Sequence, residues 1–164
     1  MKPTDLVLTN YGLRYRGKTY PCSIGKGGLR NDKREGDGAT PRGIHSIVGI
    51  LYRPDRMAKP TSWAKPIGPN DLWSDDETDT NYNNQVRRPY AHSHEVLRRA
   101  DPLYDLVVIT DWNWPIATQG AGSAIFIHQY RRPGYPTEGC IALSRANLHK
   151  IAQFLNKGSR LIVK

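Results

Sequence analysis

Short apolar runs interrupted by turn residues dominate the chain. Residues 5–24 alternate stretches such as Leu6-Val7-Leu8 with Asn10-Tyr11-Gly12 and Arg16-Gly17-Lys18, the spacing of a β-hairpin. Residues 23–43 are glycine-rich and densely charged, too polar for a core, and predict a long loop that Pro41 and Gly43 close. Strand character resumes over residues 44–52. Residues 53–88 are proline-punctuated, with an acidic cluster at Asp75-Asp76-Glu77, and without periodicity they predict an irregular excursion. Residues 105–110 and 124–128 are β-branched runs bounded by turn residues, which predicts two buried central strands. One helix is expected. Ser144 stands as its N-cap, Leu148, Ile151, Ala152 and Leu155 recur at helical spacing, and Gly158 takes the position after its last turn. Residues 161–163 supply a closing strand, and no internal repeat interrupts what reads as one domain over residues 1–164.

Composition supports a mainly β reading, because Gly 15 and Pro 12 demand many turns. Lys and Arg total 24 against 15 Asp and Glu, a net charge of +9 that favours a polyanionic partner: nucleic acid, anionic lipid or a carboxylate-rich polymer. The basic residues are scattered in pairs such as Arg87-Arg88 and Arg131-Arg132, a distribution that equally describes a solvated surface. No apolar run approaches the ~20 residues of a membrane span, and no leader pattern is visible at the start. Two cysteines, Cys22 and Cys140, are too few for a disulfide framework, which turns attention to a free thiol.

His128 ends a predicted buried strand, and Cys140 follows Thr137-Glu138-Gly139 just before the helix. An imidazole beside a thiol can take its proton and return it to a leaving amine. Gly139 permits close approach of backbone to substrate, and the amides around Gly139 and Cys140 can cradle an oxyanion. Taken alone the spacing is a weak signal, since a lone Cys is as a rule an apolar filler. Ala-His-Ser-His-Glu at 91–95 puts His92 and His94 at a spacing zinc sites use, though without an evident third ligand. The run Ile24-Gly25-Lys26-Gly27-Gly28 lacks the ending of a phosphate-binding loop. Trp63, Trp73, Trp112 and Trp114 offer sugar-stacking faces or core packing.

Ile127-His128-Gln129-Tyr130, with Pro136-Thr137-Glu138-Gly139-Cys140-Ile141-Ala142-Leu143 following, resembles the active-site signature of the L,D-transpeptidase (YkuD-like) family. The upstream run Glu35-Gly36-Asp37-Gly38-Ala39-Thr40-Pro41-Arg42-Gly43 is similar to that family's Thr-Pro-x-Gly element. The resemblance implies a β-sandwich of mixed sheets with one helix after the cysteine loop. It further implies a cysteine acyltransferase with Cys140 as nucleophile, His128 as base and Gly139 at the oxyanion site. Glu138, Thr137, Arg131, Arg132, His94 and Tyr130 are the expected substrate contacts. The expected partners are peptidoglycan stem peptides containing diaminopimelate as donor and acceptor, joined through 3,3 or 1,3 links, with L,D-carboxypeptidase as a side activity. No cofactor or metal, no nucleic acid, a monomer, and a location in the periplasm or at the cell wall complete the expectation. The pattern departs from the family at Glu138, where a second His is usual, at Ala142, where Asn or Arg is usual, and in a shorter His-to-Cys interval. Two alternatives stay open: a zinc amidase or peptidase built on His92, His94 and a third ligand such as His128, and a basic, non-enzymatic wall- or nucleic-acid-binding module.

Overall fold

The computed structural model describes residues 2–164. The chain opens as a meander of β1 (Leu6–Thr9), β2 (Gly12–Tyr15) and β3 (Lys18–Tyr20), followed by the short strands β4 (Cys22–Ser23), β5 (Leu29–Arg30) and β6 (Thr40–Pro41). Next come the long β7 (Gly43–Tyr52), then β8 (Lys65–Pro66), β9 (Asp71–Ser74), β10 (Gln85–Arg87) and β11 (His94–Val96). β12 (Leu106–Thr110), β13 (Phe126–Gln129), β14 (Ile141–Leu143), the helix α1 (Arg145–Ala152) and β15 (Arg160–Val163) complete it. The main sheet runs β3-β2-β1-β15-β7-β12-β13-β14-β4, with β8 beside β7, and mixes parallel pairs (β1 with β15, β13 with β14) among antiparallel ones.

The length of β7 organises this sheet. Its first part, Gly43 to Ser46, pairs with β15, and its later part, Ile47 to Tyr52, pairs with β12, so one strand belongs to both halves. The two halves and α1 enclose one core containing Leu6, Leu13, Ile50, Val108, Ile127, Ile141 and Leu148. Side chains alternate across a strand. Val107, Ile109 and Phe126 therefore face the other way and form a second core with Leu51, Trp73 and Leu97. A separate three-stranded sheet, β10-β9-β11, covers that second face. Burial on both faces explains why residues 105–110 and 124–128 read as continuous apolar runs and not as alternating ones.

Two expectations need correction. Residues 53–88 are not simply irregular: they hold β8, β9 and β10, and β9 is the buried centre of the covering sheet. Polar Asp71 and Ser74 flank only Leu72 and Trp73, too short a run to register as a strand. The helix also stops at Ala152 with Gln153 as C-cap, well before Gly158. Leu155 still reaches the core through a tight turn, in which the Phe154 and Leu155 N–H groups donate to Ile151 and Ala152 carbonyls. Gly158 instead uses its φ of 86° to turn the chain into β15.

The parallel β1–β15 pair is clamped by Asp5, whose carboxylate accepts two hydrogen bonds from Arg160, at 3.0 and 2.7 Å. These bonds, with a further one from the Lys2 N–H, hold the Asp5 pKa down at about 2. A carboxylate depressed in the folded state stabilises above its unfolded pKa of ~3.9 and loses that contribution as pH falls through its folded value. Asp5→Asn should lower the urea midpoint at neutral pH, and the gap to wild type should close between about pH 4 and pH 2. A gap that persists unchanged at the acid end would assign the effect to packing.

Candidate active site

β13 and β14 run parallel with Ile127 opposite Ile141 and His128 opposite Ala142. Continued one residue back, this register sets Cys140 beside Phe126, whose N–H donates to Cys140 Sγ at 3.4 Å. Phe126 and His128 project from the same face of β13, and the Cys140 side chain joins that face. Cys140 thus lies one strand over and two residues back from His128, roughly 8 Å between Cα atoms by strand geometry. Both side chains line one cavity of about 300 Å³.

The cavity holds both groups neutral. Burial, reinforced by the Glu95 carboxylate, pushes the Cys140 thiol up to about 12. Its S–H donates to the Ala124 carbonyl at 3.1 Å. Burial likewise lowers His128 to about 4. His128 Nδ1 lies 2.7 Å from the Gln129 carbonyl oxygen, which can only accept, so the neutral ring carries its proton on Nδ1 and leaves the Nε2 lone pair basic. Tyr104 packs its ring edgewise to His128, with centroids 5.2 Å apart, and donates its hydroxyl proton to Glu95.

The turn carrying Cys140 is tied on both sides. Gly139 has φ 141°, and a Cβ there would sit 2.9 Å from the Ala39 carbonyl oxygen, so neither its conformation nor its surroundings admit a side chain. Thr40, fully buried, donates its hydroxyl to the Gly139 carbonyl at 2.7 Å and accepts from the Gly25 N–H at 2.9 Å. Because the peptide is planar and trans, the Cys140 N–H points away from that carbonyl. Thr137 donates its hydroxyl to the Cys140 carbonyl at 2.6 Å and receives the Gly139 N–H at 3.2 Å.

The segment before β13 is fixed by Asn83, a buried side chain with all its bonds made. Its Oδ1 accepts from Trp73 Nε1 and the Ala124 N–H, and its Nδ2 donates to the Trp112 and Asn113 carbonyls. Ala124 is held at φ 51°, a left-handed conformation that costs a non-glycine residue about 1–2 kcal/mol. The carbonyl of this residue is the one that meets the thiol. Lys33, buried, donates to Asp37 and the Arg34 carbonyl, and its ammonium partly offsets the negative field at Cys140.

Of the residues predicted from sequence, Cys140, His128, Tyr130, Arg131, Thr137 and Glu138 line the cavity, and Gly139 supports it from behind. Glu138 forms an exposed ion pair with Lys26 at the mouth, at 2.7 Å. Arg132 stacks over Tyr135, and His94 packs against Tyr90; neither lines the cavity. His92 is exposed and faces Asp76 at 3.3 Å. Among the described residues no three His, Cys, Asp or Glu side chains gather to hold a metal ion, so His92, His94 and His128 do not converge. Glu95, Arg99 and Tyr104 line the cavity, while Thr40 and Asn83 buttress it. Among these, Glu95 carried a sequence signal through its place beside His94, and Thr40 through the Thr-Pro-x-Gly element; Arg99, Tyr104 and Asn83 carried none.

The family model of the L,D-transpeptidase catalytic domain (YkuD) matches residues 6–163. Among solved structures, a mutant of the helical cell shape determining protein Pgp2 from Campylobacter jejuni superposes with a TM-score of 0.50 at 21% identity. The alignment covers 98% of this chain and 46% of that one. An L,D-transpeptidase from Mycobacterium smegmatis superposes with a TM-score of 0.45 at 16% identity, over 97% of this chain and 56% of that one. The chain therefore spans about half the length of the solved structures it resembles. No curated protein sequence matches it.

Two measurements probe the electrostatics. A buried His whose folded pKa lies below its unfolded value of ~6.5 contributes stability that is complete above that value and is lost as pH falls toward the folded one. Wild type should lose about 2 kcal/mol through His128 between pH 7 and pH 5, and His128→Gln should flatten that slope in denaturant titrations. His45 and His149, also lowered by burial, leave a residual slope of the same sign. Glu95→Gln removes a negative charge facing the thiol and should speed alkylation of Cys140 by iodoacetamide at mildly alkaline pH, roughly three- to tenfold for ~1 kcal/mol of relieved repulsion. An unchanged or slower rate would mean that the carboxylate exerts no field on the sulfur.

Proposed function

The chain belongs to the YkuD family of L,D-transpeptidase catalytic domains, and on that premise we propose that it transfers an acyl group of a peptidoglycan stem peptide through Cys140. The observation that carries the reading is the meeting of Cys140 and His128, from adjacent parallel strands, in one cavity. The thiol sulfur attacks the carbonyl of an L-centre in the donor stem while His128 Nε2 takes the S–H proton. A neutral thiol and a neutral imidazole make this transfer part of the attack itself, with no thiolate standing beforehand. The Cys140 N–H is the oxyanion donor, since the Gly139 N–H is committed to Thr137.

Collapse of the tetrahedral intermediate breaks the peptide C–N bond. His128 returns its proton to the leaving amine, and a thioester to Cys140 remains. An amine at the D-centre of diaminopimelate on a second stem then attacks the thioester, its proton passes through His128 to the departing sulfur, and a crosslink results. Water in place of the amine gives carboxypeptidase activity. The cavity pairs acidic Glu95 and Glu138 with basic Arg99 and Arg131, a lining suited to the ammonium and carboxylate of such a centre. The reaction takes place in the periplasm or at the wall, where this polymer lies. No helix among the described residues is long and apolar enough to cross a membrane.

Intact-protein mass spectrometry of wild type and Cys140→Ala, mixed first with a carbapenem and then with purified muropeptides, tests the proposal. Wild type alone should gain a covalent adduct and yield dimeric muropeptides, with turnover at least 10³-fold above the variant. Fragmentation of the dimers identifies the donor residue and so separates 3,3 from 1,3 linkage. Equal behaviour of the two proteins overturns the acyl-enzyme.

A further inference from the structure

A second cavity, of about 510 Å³, opens on the same face of the main sheet as Cys140 but beside β7 and β10. Trp63, Trp73 and Trp114 wall it, and Lys65, Lys157 and Asn84 stand among its polar groups. No Asp or Glu lines it, and neither lysine side chain makes an ion pair or hydrogen bond within the described residues. Two of the indoles are fixed in advance. Trp114 Nε1 donates to Asn84 Oδ1 at 3.1 Å, and Trp63 Nε1 donates to the Leu155 carbonyl at 3.0 Å. With their polar edges tied, both retain exposed ring surface.

We propose that this groove binds the glycan strand of the wall polymer, with sugar faces against Trp63 and Trp114. Lys65 and Lys157 then meet acetamido oxygens of the strand and the lactyl carboxylates of those sugars that carry no stem. This inference rests on the peptidoglycan reading of the Cys140 site. Rigid indole faces suit the flat apolar side of a pyranose, and fixing them beforehand removes an ordering cost. Two unpaired ammonium groups without a neighbouring carboxylate suit an anionic polymer and disfavour a neutral apolar peptide. Placement agrees: Trp73 closes the groove and packs edgewise on Phe126, centroids 4.9 Å apart, and the Phe126 N–H donates to Cys140 Sγ. One aromatic layer separates the groove from the thiol. A strand held there brings its stem to the reacting face, and binding energy remote from the reacting bond can serve the transfer.

The test uses soluble glycan chains stripped of stem peptides by an amidase, and separately a free stem tetrapeptide. Binding of each is followed by calorimetry on the full chain carrying Cys140→Ala, alone and combined with Trp114→Ala or Lys157→Ala. The stripped chains should bind, about tenfold more weakly with Trp114→Ala. Lys157→Ala should weaken binding and lessen its salt dependence. Tetrapeptide affinity should be unchanged, and Cys140 alkylation in the otherwise wild-type Trp114→Ala protein should confirm an intact active site. Absence of glycan binding, or equal affinity in all variants, overturns the groove assignment. So does glycan-independent dimerisation lost with Trp114→Ala. None of these outcomes bears on the acyl transfer, which the mass-spectrometric adduct decides separately.

Discussion

Parallel pairing of β13 with β14 is the constraint on which the rest of the site depends. Parallel neighbours require a crossover connection, and here it is the segment from Tyr130 to Cys140, which leaves the sheet after Gln129 and returns at Ile141. A register slip of one residue would turn the sulfur into the core occupied by Ile127 and Ile141 and away from the cavity. The register is held because each face of both strands is buried against a different core. Placing Cys140 and His128 together is therefore a consequence of packing the sheet.

The site so formed is enclosed, and Glu95 lines it beside the thiol. Burial and Glu95 raise the thiol, and burial lowers the imidazole, so the pair rests uncharged. An ion pair in this setting would face a desolvation penalty that its Coulomb attraction offsets only in part. The thiol at rest is therefore protonated and shielded from solvent.

Rigidity comes from groups outside the Cys140–His128 pair. Thr40 and Thr137 hold the peptides on either side of Gly139, Asn83 ties the covering sheet to Ala124, and Lys33 and Asp37 brace the loop that carries Thr40. Thr40, Asn83 and Lys33 are buried polar side chains with hydrogen bonds made, Thr137 and Asp37 partly buried ones, and together they position the carbonyl that meets the thiol and the amide that faces away from Thr40. The strained φ of Ala124 persists because Asn83 and the adjoining strand over-determine it.

By itself the sequence determined two central strands within residues 105–110 and around residues 126–128, the N-cap of the helix at Ser144, the mainly β class, and the short motif around His128 and Cys140 through which the family is recognised. These were legible because each is written locally, in β-branched runs, a capping residue, or a short motif. Only the tertiary structure decided that Glu95, Arg99 and Tyr104 face the thiol, that Thr40 and Asn83 hold it in place, and that His94 and Arg132 do not line the cavity. It also decided that residues 71–74 form a buried strand, where a single apolar pair gave no period to read. Such assignments depend on which surfaces of distant segments meet, a long-range property set by sheet order and strand register, and a chain of amino acids carries no local signal for it.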